Sequence, residues 1–248
     1  MAPEARLEGQ VAIVTGASSG IGAATCRALA ADGATVVLAS RSEDRLTELA
    51  DDLEANHGVE TLVAPTDVRD EDAIDDLIAE AVETFGGIDV LVNNAGLSRG
   101  SDVEEMTTEE YETMQGTNVD GVFYATRAAI PHVRDRSGHL LFVGSFAGHY
   151  PRSYNPVYAA SKWWVRGFAK SVAAQVGDDG VGVTVVNPSE VRTEFETADG
   201  TPFEEAFDAD EATDPEEIAD AIVFAASREG SGVSELDLYR RDKFADTF

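Results

Sequence analysis

The sequence predicts a doubly wound α/β fold: a parallel sheet of about seven strands with helices on both faces. Two observations carry this. Short β-branched runs alternate with segments of helical periodicity along the whole chain, and the runs are almost continuously apolar. Strands that read as unbroken hydrophobic runs are covered on both faces, and strand–helix alternation supplies those covers. No repeat, linker or low-complexity segment interrupts the pattern, so residues 1–248 are read as one domain.

The elements follow in order. "QVAIVT" is a buried strand, followed by "SGIGAATCRALAADG", apolar at helical spacing and ended by Gly33. "ATVVLAS" is the second strand, and "SEDRLTELADDLEANHG" a helix stopped by Gly58. "VETLVAPTDV" and "RDEDAIDDLIAEAVETFGG" form the third pair, and "IDVLVNNAG" the fourth strand. A long helix is expected over about 107–134, then the strand "GHLLFVGS" and a helix over about 156–177. "VGVTVVNP" is the sixth strand; the helix beginning "DPEEIADAIVFAA" precedes the last, "GVSELDLY". The irregular stretch of about 188–214 is too long for a simple connection and is expected to be a substrate lid.

Charge narrows the partners. There are 47 acidic against 18 basic residues, a formal net charge of −29, and lysine occurs only as Lys162, Lys170 and Lys243. The acids occupy polar positions around an apolar repeat, as on a solvated folded surface. Self-repulsion of that size opposes compaction in dilute buffer, whereas molar salt shortens the Debye length to about 3 Å. The composition therefore points to a protein of a high-salt, halophilic cytoplasm. Without a basic stripe, nucleic acid is not an expected partner. Cys26, the single cysteine, rules out a disulfide framework. The N-terminal sequence carries no basic segment leading into a long apolar run, and no stretch suits a membrane span, so a soluble cytoplasmic protein is expected.

"TGASSGIG", residues 15–22, lies between the first strand and first helix. Gly16, Gly20 and Gly22 let the backbone turn tightly and approach a pyrophosphate, whose charge a helix N-terminus favours. The absence of Gly-Lys-Ser/Thr excludes a nucleoside-triphosphatase loop. In such a sheet the ligand lies beyond the carboxyl ends of the strands. The second strand ends in Ser40 and Arg41 where an NAD-preferring site would hold a carboxylate, and a guanidinium suits a 2′-phosphate. The third ends in Asp67 and Val68, the fourth in "NNAG" (93–96), the fifth in Ser145 and the sixth in "NPSEVRT".

"TGASSGIG", "NNAG", Ser145 and Tyr158-x3-Lys162 at these separations resemble the short-chain dehydrogenase/reductase family across essentially the whole chain. The length fits its shorter, single-domain branch, with a Rossmann-type NAD(P)-binding fold. The family's catalytic serine lies thirteen residues before its tyrosine, as Ser145 does before Tyr158 and before no other tyrosine. The resemblance implies a catalytic set of Asn118, Ser145, Tyr158 and Lys162. It also implies cofactor contacts at Gly16, Ser18, Gly20, Ile21, Gly22, Ser40, Arg41, Asp67, Val68, Asn93, Ala95, Gly96, Tyr158, Lys162, Pro188, Val191 and Thr193. Asn118 matches the residue that kinks the long helix and anchors a water feeding protons to the lysine. Two positions depart from the family: Ser189 stands where glycine usually follows Pro188, and Ser19 where many NADP-dependent members are basic.

"YNPVYAASKWW", 154–164, holds two tyrosines, and helix logic separates them. Asn155 and Pro156 make a helix start, leaving Tyr154 outside and placing Tyr158 and Lys162 on one helical face. A free phenol is only about 0.1% ionised at neutral pH, and a neighbouring ammonium is expected to lower its pKa. Tyr158 would then exchange the hydroxyl proton while Ser145 steadies the reacting oxygen. The expected function is NADP(H)-dependent interconversion of a secondary alcohol and a ketone, with NAD(H) usable. The C-terminal "SELDLYRRDKF" resembles the 3-hydroxy acid branch. A 3-oxoacyl-thioester reductase and a non-catalytic NADP-binding sensor are the alternatives. A homotetramer or homodimer through the helices at about 107–134 and 156–177 is implied. Surface or loop roles are expected for His57, His132, His139 and His149, which lack metal-ligand spacing, and packing or subunit contacts for Trp163 and Trp164. Arg152 reads first as a surface arginine and second as a partner for a substrate carboxylate.

Overall fold

Seven strands, all parallel, form one sheet in the order β3-β2-β1-β4-β5-β6-β7. The structure is a computed structural model and describes residues 5–99, 102–195, 201–208 and 211–244. The strands are β1 Val11–Thr15, β2 Thr35–Ser40, β3 Thr61–Pro65, β4 Val90–Asn93, β5 His139–Val143, β6 Gly182–Pro188 and β7 Glu235–Leu238. The helices are α1 Gly20–Ala31, α2 Glu43–His57, α3 Glu71–Phe85, α4 Thr108–Gln115, α5 Gly121–Asp135, α6 Pro156–Val176, α7 Phe203–Ala206 and α8 Pro215–Ala226.

The apolar strand runs feed two cores because successive side chains of a strand point to opposite faces. Ala12 and Val14 of β1 enter a cluster with Leu29 of α1, Leu46, Leu49 and Leu53 of α2, and Ile218 and Ile222 of α8. Val11 and Ile13 enter the other, with Ile74 and Leu77 of α3, Val122 and Ala129 of α5, and Val165 and Val172 of α6. Each fully buried large aliphatic side chain contributes about 1.5–3 kcal/mol, so the two faces dominate the stabilisation. The strand order reverses between β1 and β4, which opens a crevice at their carboxyl ends.

The expected long helix is not continuous. A π-helical turn, Gly116–Asp120, separates α4 from α5 and carries Asn118. Such a turn shifts the direction of the chain and exposes backbone groups, a common device beside functional sites. Within 188–214 the chain is not wholly irregular: Val191 bridges Thr213, and α7 forms one short turn. Residues 196–200 and 209–210 of that stretch lie outside the described residues. Among the described residues no helix is long and apolar enough to cross a membrane.

Candidate active site

The crevice is a cleft of about 700 Å³ lined from every strand end around the β1/β4 reversal. That volume lies in the range of small-molecule sites. Thr15, the last residue of β1, stitches its two sides together. Its hydroxyl donates to the Val92 carbonyl (3.2 Å) and accepts from the Asn94 (3.0 Å) and Ala95 (3.1 Å) amides.

The glycine loop has two strict positions. Gly16 has φ +67°, and a Cβ there would stand 2.9 Å from the Ala95 Cα. At Gly22 a Cβ would fall 2.1 Å from the Gly16 carbonyl oxygen. Only hydrogen fits, so the start of α1 packs directly under the loop. Ser19 makes no side-chain cap, and the first turn of α1 holds no acidic residue. By contrast α2, α3, α4 and α8 each begin with two carboxylates. In a chain this acidic, the N-terminus of α1 keeps free amides and an unneutralised positive dipole end facing the cleft.

Gly16, Ser18, Gly20, Ile21, Gly22, Ser40, Arg41, Asp67, Val68, Ala95, Gly96, Pro188, Val191 and Thr193 all line this cleft, as do Ser145, Tyr158 and Lys162. Arg41 is exposed at its mouth. Asp67 is engaged by Arg69 at 2.6 Å, and those hydrogen bonds hold its carboxyl below the usual range. Asn93 differs. Its side chain is buried and donates to the Thr126 hydroxyl at 3.1 Å on α5, away from the cleft. Asn94, not singled out from sequence, stands there instead and donates to the Thr15 (2.8 Å) and Gly16 (3.2 Å) carbonyls, tying the glycine loop to β4.

Tyr158 and Lys162 project from the first two turns of α6. Asn155 caps that helix, accepting from the Tyr158 amide at 3.2 Å, and donates to the Ser98 hydroxyl at 2.8 Å. A cap of this kind contributes about 1 kcal/mol and here also fixes the angle at which Tyr158 enters the cleft. Tyr154 lies outside the helix and is 54% exposed. Ser145 caps the 3₁₀ turn Phe146–Gly148 by accepting from the Ala147 amide at 3.1 Å. Asn118 is buried: its carbonyl accepts from the Leu97 amide (2.9 Å), and its amide donates to the Leu97 carbonyl (2.9 Å) and Ser161 hydroxyl (3.1 Å). Ser161 in turn donates to the Tyr158 carbonyl at 2.7 Å.

The electrostatics differ from the sequence expectation. Burial pushes the Tyr158 phenol up, against the opposing pulls of hydrogen bonding with Ser145 and of the Arg152 charge. Lys162 does not reverse this, because its ammonium donates to the Val143 carbonyl (3.0 Å) and lies 5.9 Å from the Tyr158 ring centroid. Desolvation brings Lys162 itself down to about 8.

A measurable consequence follows from the sign of that shift. A lysine whose pKa is depressed by folding destabilises the native state wherever it stays charged, below about pH 8. The penalty is about 3 kcal/mol at neutral pH and declines as pH rises from about 8 through the unfolded value near 10.4. Lys162→Met is therefore expected to be more stable to urea than the parent at pH 7, with the difference shrinking by pH 10. A variant less stable at pH 7 would show that the Val143 hydrogen bond outweighs the desolvation.

Arg152 is not a surface arginine. It lines the cleft with its side chain 19% exposed, its guanidinium over the Phe146 ring at 5.2 Å and hydrogen-bonded to the Tyr154 hydroxyl. Ser189, in place of the usual glycine, donates its amide to the Leu238 carbonyl (3.0 Å) and accepts at its hydroxyl from the Arg240 amide (3.1 Å). His149 lies in the loop that follows the 3₁₀ turn, as one of the two expected roles has it, and is partly buried there. It meets Glu235 at 2.9 Å and Asp237 at 3.4 Å beside Asn187, and Arg166 (2.5 Å) and Lys170 (2.7 Å) already neutralise Glu235. Trp164 stacks on Phe168 at 4.7 Å, while Trp163 is 49% exposed.

Comparison with known proteins agrees with this geometry. The profile described as short chain dehydrogenase matches residues 10–202. An uncharacterised oxidoreductase of Staphylococcus haemolyticus is 35% identical over 224 residues, 90% of this chain and 93% of that one. Among solved structures, an alcohol dehydrogenase from the archaeon Thermococcus sibiricus, complexed with 5-hydroxy-NADP, superposes with TM-score 0.87 at 31% identity, covering 94% of this chain and 97% of that one. A 3-ketoacyl-(acyl-carrier-protein) reductase from Brucella melitensis, complexed with NADH, gives TM-score 0.84 at 29% identity, covering 95% and 98%.

Proposed function

The chain belongs to the short chain dehydrogenase family and is an oxidoreductase, and from that premise we propose that it interconverts a secondary alcohol and a ketone with NADP(H). The observation that carries the reading is that Ser145, Tyr158 and Lys162 line the same cleft as the glycine loop. The free amides and dipole of α1 and the close approach allowed at Gly22 fit a pyrophosphate. Arg41 fits a 2′-phosphate, with NAD(H) as the weaker partner. A nicotinamide held there would supply or accept the hydride.

The residues of the chain manage the proton and the developing charge. The Ser145 hydroxyl hydrogen-bonds the reacting oxygen. The Tyr158 phenol passes its proton to that oxygen in reduction and takes it back in oxidation. Because burial keeps the phenol protonated, ketone reduction is favoured at neutral pH, and alcohol oxidation should accelerate as pH rises. Lys162 supplies a titratable ammonium behind the phenol, and Asn118 holds the π-helical turn against Leu97 and α6. Residues of the 188–214 segment that line the cleft, Phe195, Phe203 and Phe207 among them, form an apolar cover over the alcohol, which supports the lid assignment. The test is a panel of secondary alcohols and ketones assayed with both cofactors in molar KCl. Failure of every pair to change nicotinamide absorbance would overturn the reading. The similarity to a 3-ketoacyl reductase makes a 3-oxoacyl thioester the second substrate class to include.

The acidic surface supports a salt-adapted protein, and exposed Phe123 (39%) on α5 and Trp163 (49%) on α6 support a subunit contact there. Bringing together copies that each carry −29 multiplies repulsion, which salt screens. Lowering KCl from molar to tens of millimolar is expected to dissociate the oligomer before, or together with, loss of activity. Light scattering and activity followed in one salt titration check this, and an intact active oligomer at low salt would refute it.

A further inference from the structure

Resting on the alcohol–ketone reading above, we propose that the C-terminal segment Tyr239–Phe244 is a positioning element for the reaction: it clamps the Phe146 ring and so holds the turn that aims the Ser145 hydroxyl. Phe146 directly follows Ser145 and opens the 3₁₀ turn Phe146–Gly148 that Ser145 caps. The cap has a directional effect. The Ser145 oxygen accepts from the Ala147 amide at 3.1 Å, which leaves the hydroxyl proton to point at the cleft, and Ser145 hydrogen-bonds with the Tyr158 phenol there. A hydroxyl donor aids catalysis only where it meets, at hydrogen-bond distance, the charge that develops in the transition state. Whatever fixes the turn therefore fixes that distance.

A cluster of aromatic rings holds it. Phe146 stacks on Tyr150 at 4.3 Å, and from the C-terminal segment it meets Tyr239 edge-on at 5.1 Å and Phe244 at 6.0 Å. Phe244 also meets Tyr150 and Tyr239, each at 5.8 Å, so the rings close on one another. The Lys243 ammonium lies over the Phe146 ring at 4.6 Å. Stacked, edge-on and cation–ring contacts at these separations attract beyond the apolar area they bury. The segment is itself tied down. It follows β7 directly, the Arg240 amide donates to the Ser189 hydroxyl at 3.1 Å, and the Arg240 guanidinium donates to the Glu211 carbonyl at 2.9 Å. None of Phe146, Tyr239, Lys243 and Phe244 lines the cleft, whereas Ser145 does. They reach the reacting oxygen only through the turn, from behind it, and are positioning residues. Phe146 is 7% exposed and Phe244 37%, so the clamp can be loosened from its outer side without opening the core.

The experiment uses Phe244→Ala, Phe244→Tyr and Ser145→Ala in the full chain in molar KCl. Phe244→Ala is expected to lower kcat about 10- to 100-fold, the scale of a slightly misplaced catalytic group, with cofactor binding within a few-fold of the parent. Phe244→Tyr, which keeps the ring, should restore turnover. In a Ser145→Ala background Phe244→Ala should cost almost nothing further, because the hydroxyl it aims is gone; a merely structural role would give the same loss in both backgrounds. Hydrogen exchange over residues 145–150, which include the Ala147 amide held by Ser145, should quicken in Phe244→Ala while β1 and β4 stay as protected as in the parent. Unchanged kcat, an equal loss in the Ser145→Ala background, or exchange that quickens everywhere or nowhere overturns the proposal. Should the parent turn over no alcohol or ketone, the oxidoreductase reading falls, and the exchange pattern alone upholds or overturns the clamp.

Discussion

Tyr158→Phe is expected to lower kcat about 10²- to 10⁴-fold in both directions while NADP(H) binding stays within a few-fold of the parent. The substitution removes the hydroxyl proposed to exchange a proton with the substrate and leaves the ring, the Asn155 cap and the glycine loop as they are. Tyr154→Phe is the control. Tyr154 is 54% exposed, outside α6, and its loss should cost little turnover. Steady-state kinetics and a fluorescence titration of the cofactor separate chemistry from binding. A dead Tyr154→Phe beside an active Tyr158→Phe would invert the assignment. In the parent, kcat for oxidation should climb above neutral pH because the raised phenol must first ionise, and Tyr158→Phe should flatten that profile.

Arg41→Asp is expected to reverse cofactor choice. Losing a guanidinium from the proposed phosphate contact and adding a carboxylate would remove an attraction and introduce repulsion, so both changes act against NADP. Truncating one side of a charged pair typically costs 2–5 kcal/mol, or roughly 30- to several-thousand-fold in the NADP:NAD ratio of kcat/KM. The same carboxylate can accept from ribose hydroxyls, which favours NAD. Asp67 sits close enough to feel the Arg41 charge, so its carboxyl should lose part of its stabilisation in the variant. An unchanged ratio would refute the assignment of Arg41 to the 2′-phosphate.

What could be read from sequence was what depends on local spacing. The seven strands and the glycine loop appear as runs and turns of a few residues, so their places were legible. So was the start of α6, which leaves Tyr154 outside the helix and Tyr158 within it, since a cap and a proline announce it. What escaped depends on which way a side chain turns once the sheet is assembled. Asn93 and Asn94 are adjacent and chemically identical, yet the first, ending β4, turns to Thr126 and the second, just past it, to the glycine loop. Arg152 looks like any loop arginine until Phe146, Glu190 and Lys243 converge on it from distant parts of the chain. The Tyr158 phenol was expected to fall and instead rises, because assembly of the sheet and α6 buries it, and burial is a property no local pattern displays.

The bridge between Val191 and Thr213 has an evolutionary consequence. With Ser189 fastened to the C-terminal segment and Glu211 accepting from Arg240 at 2.9 Å, both feet of the intervening excursion are anchored independently of what lies between them. Closing a loop on fixed feet becomes only slowly harder with length: doubling it costs about 0.6 kcal/mol. The excursion can therefore lengthen, shorten or be exchanged with little effect on the sheet. Under the proposed lid role, grafting the segment between these feet from one relative into another is expected to alter substrate range while the sheet stays as it is.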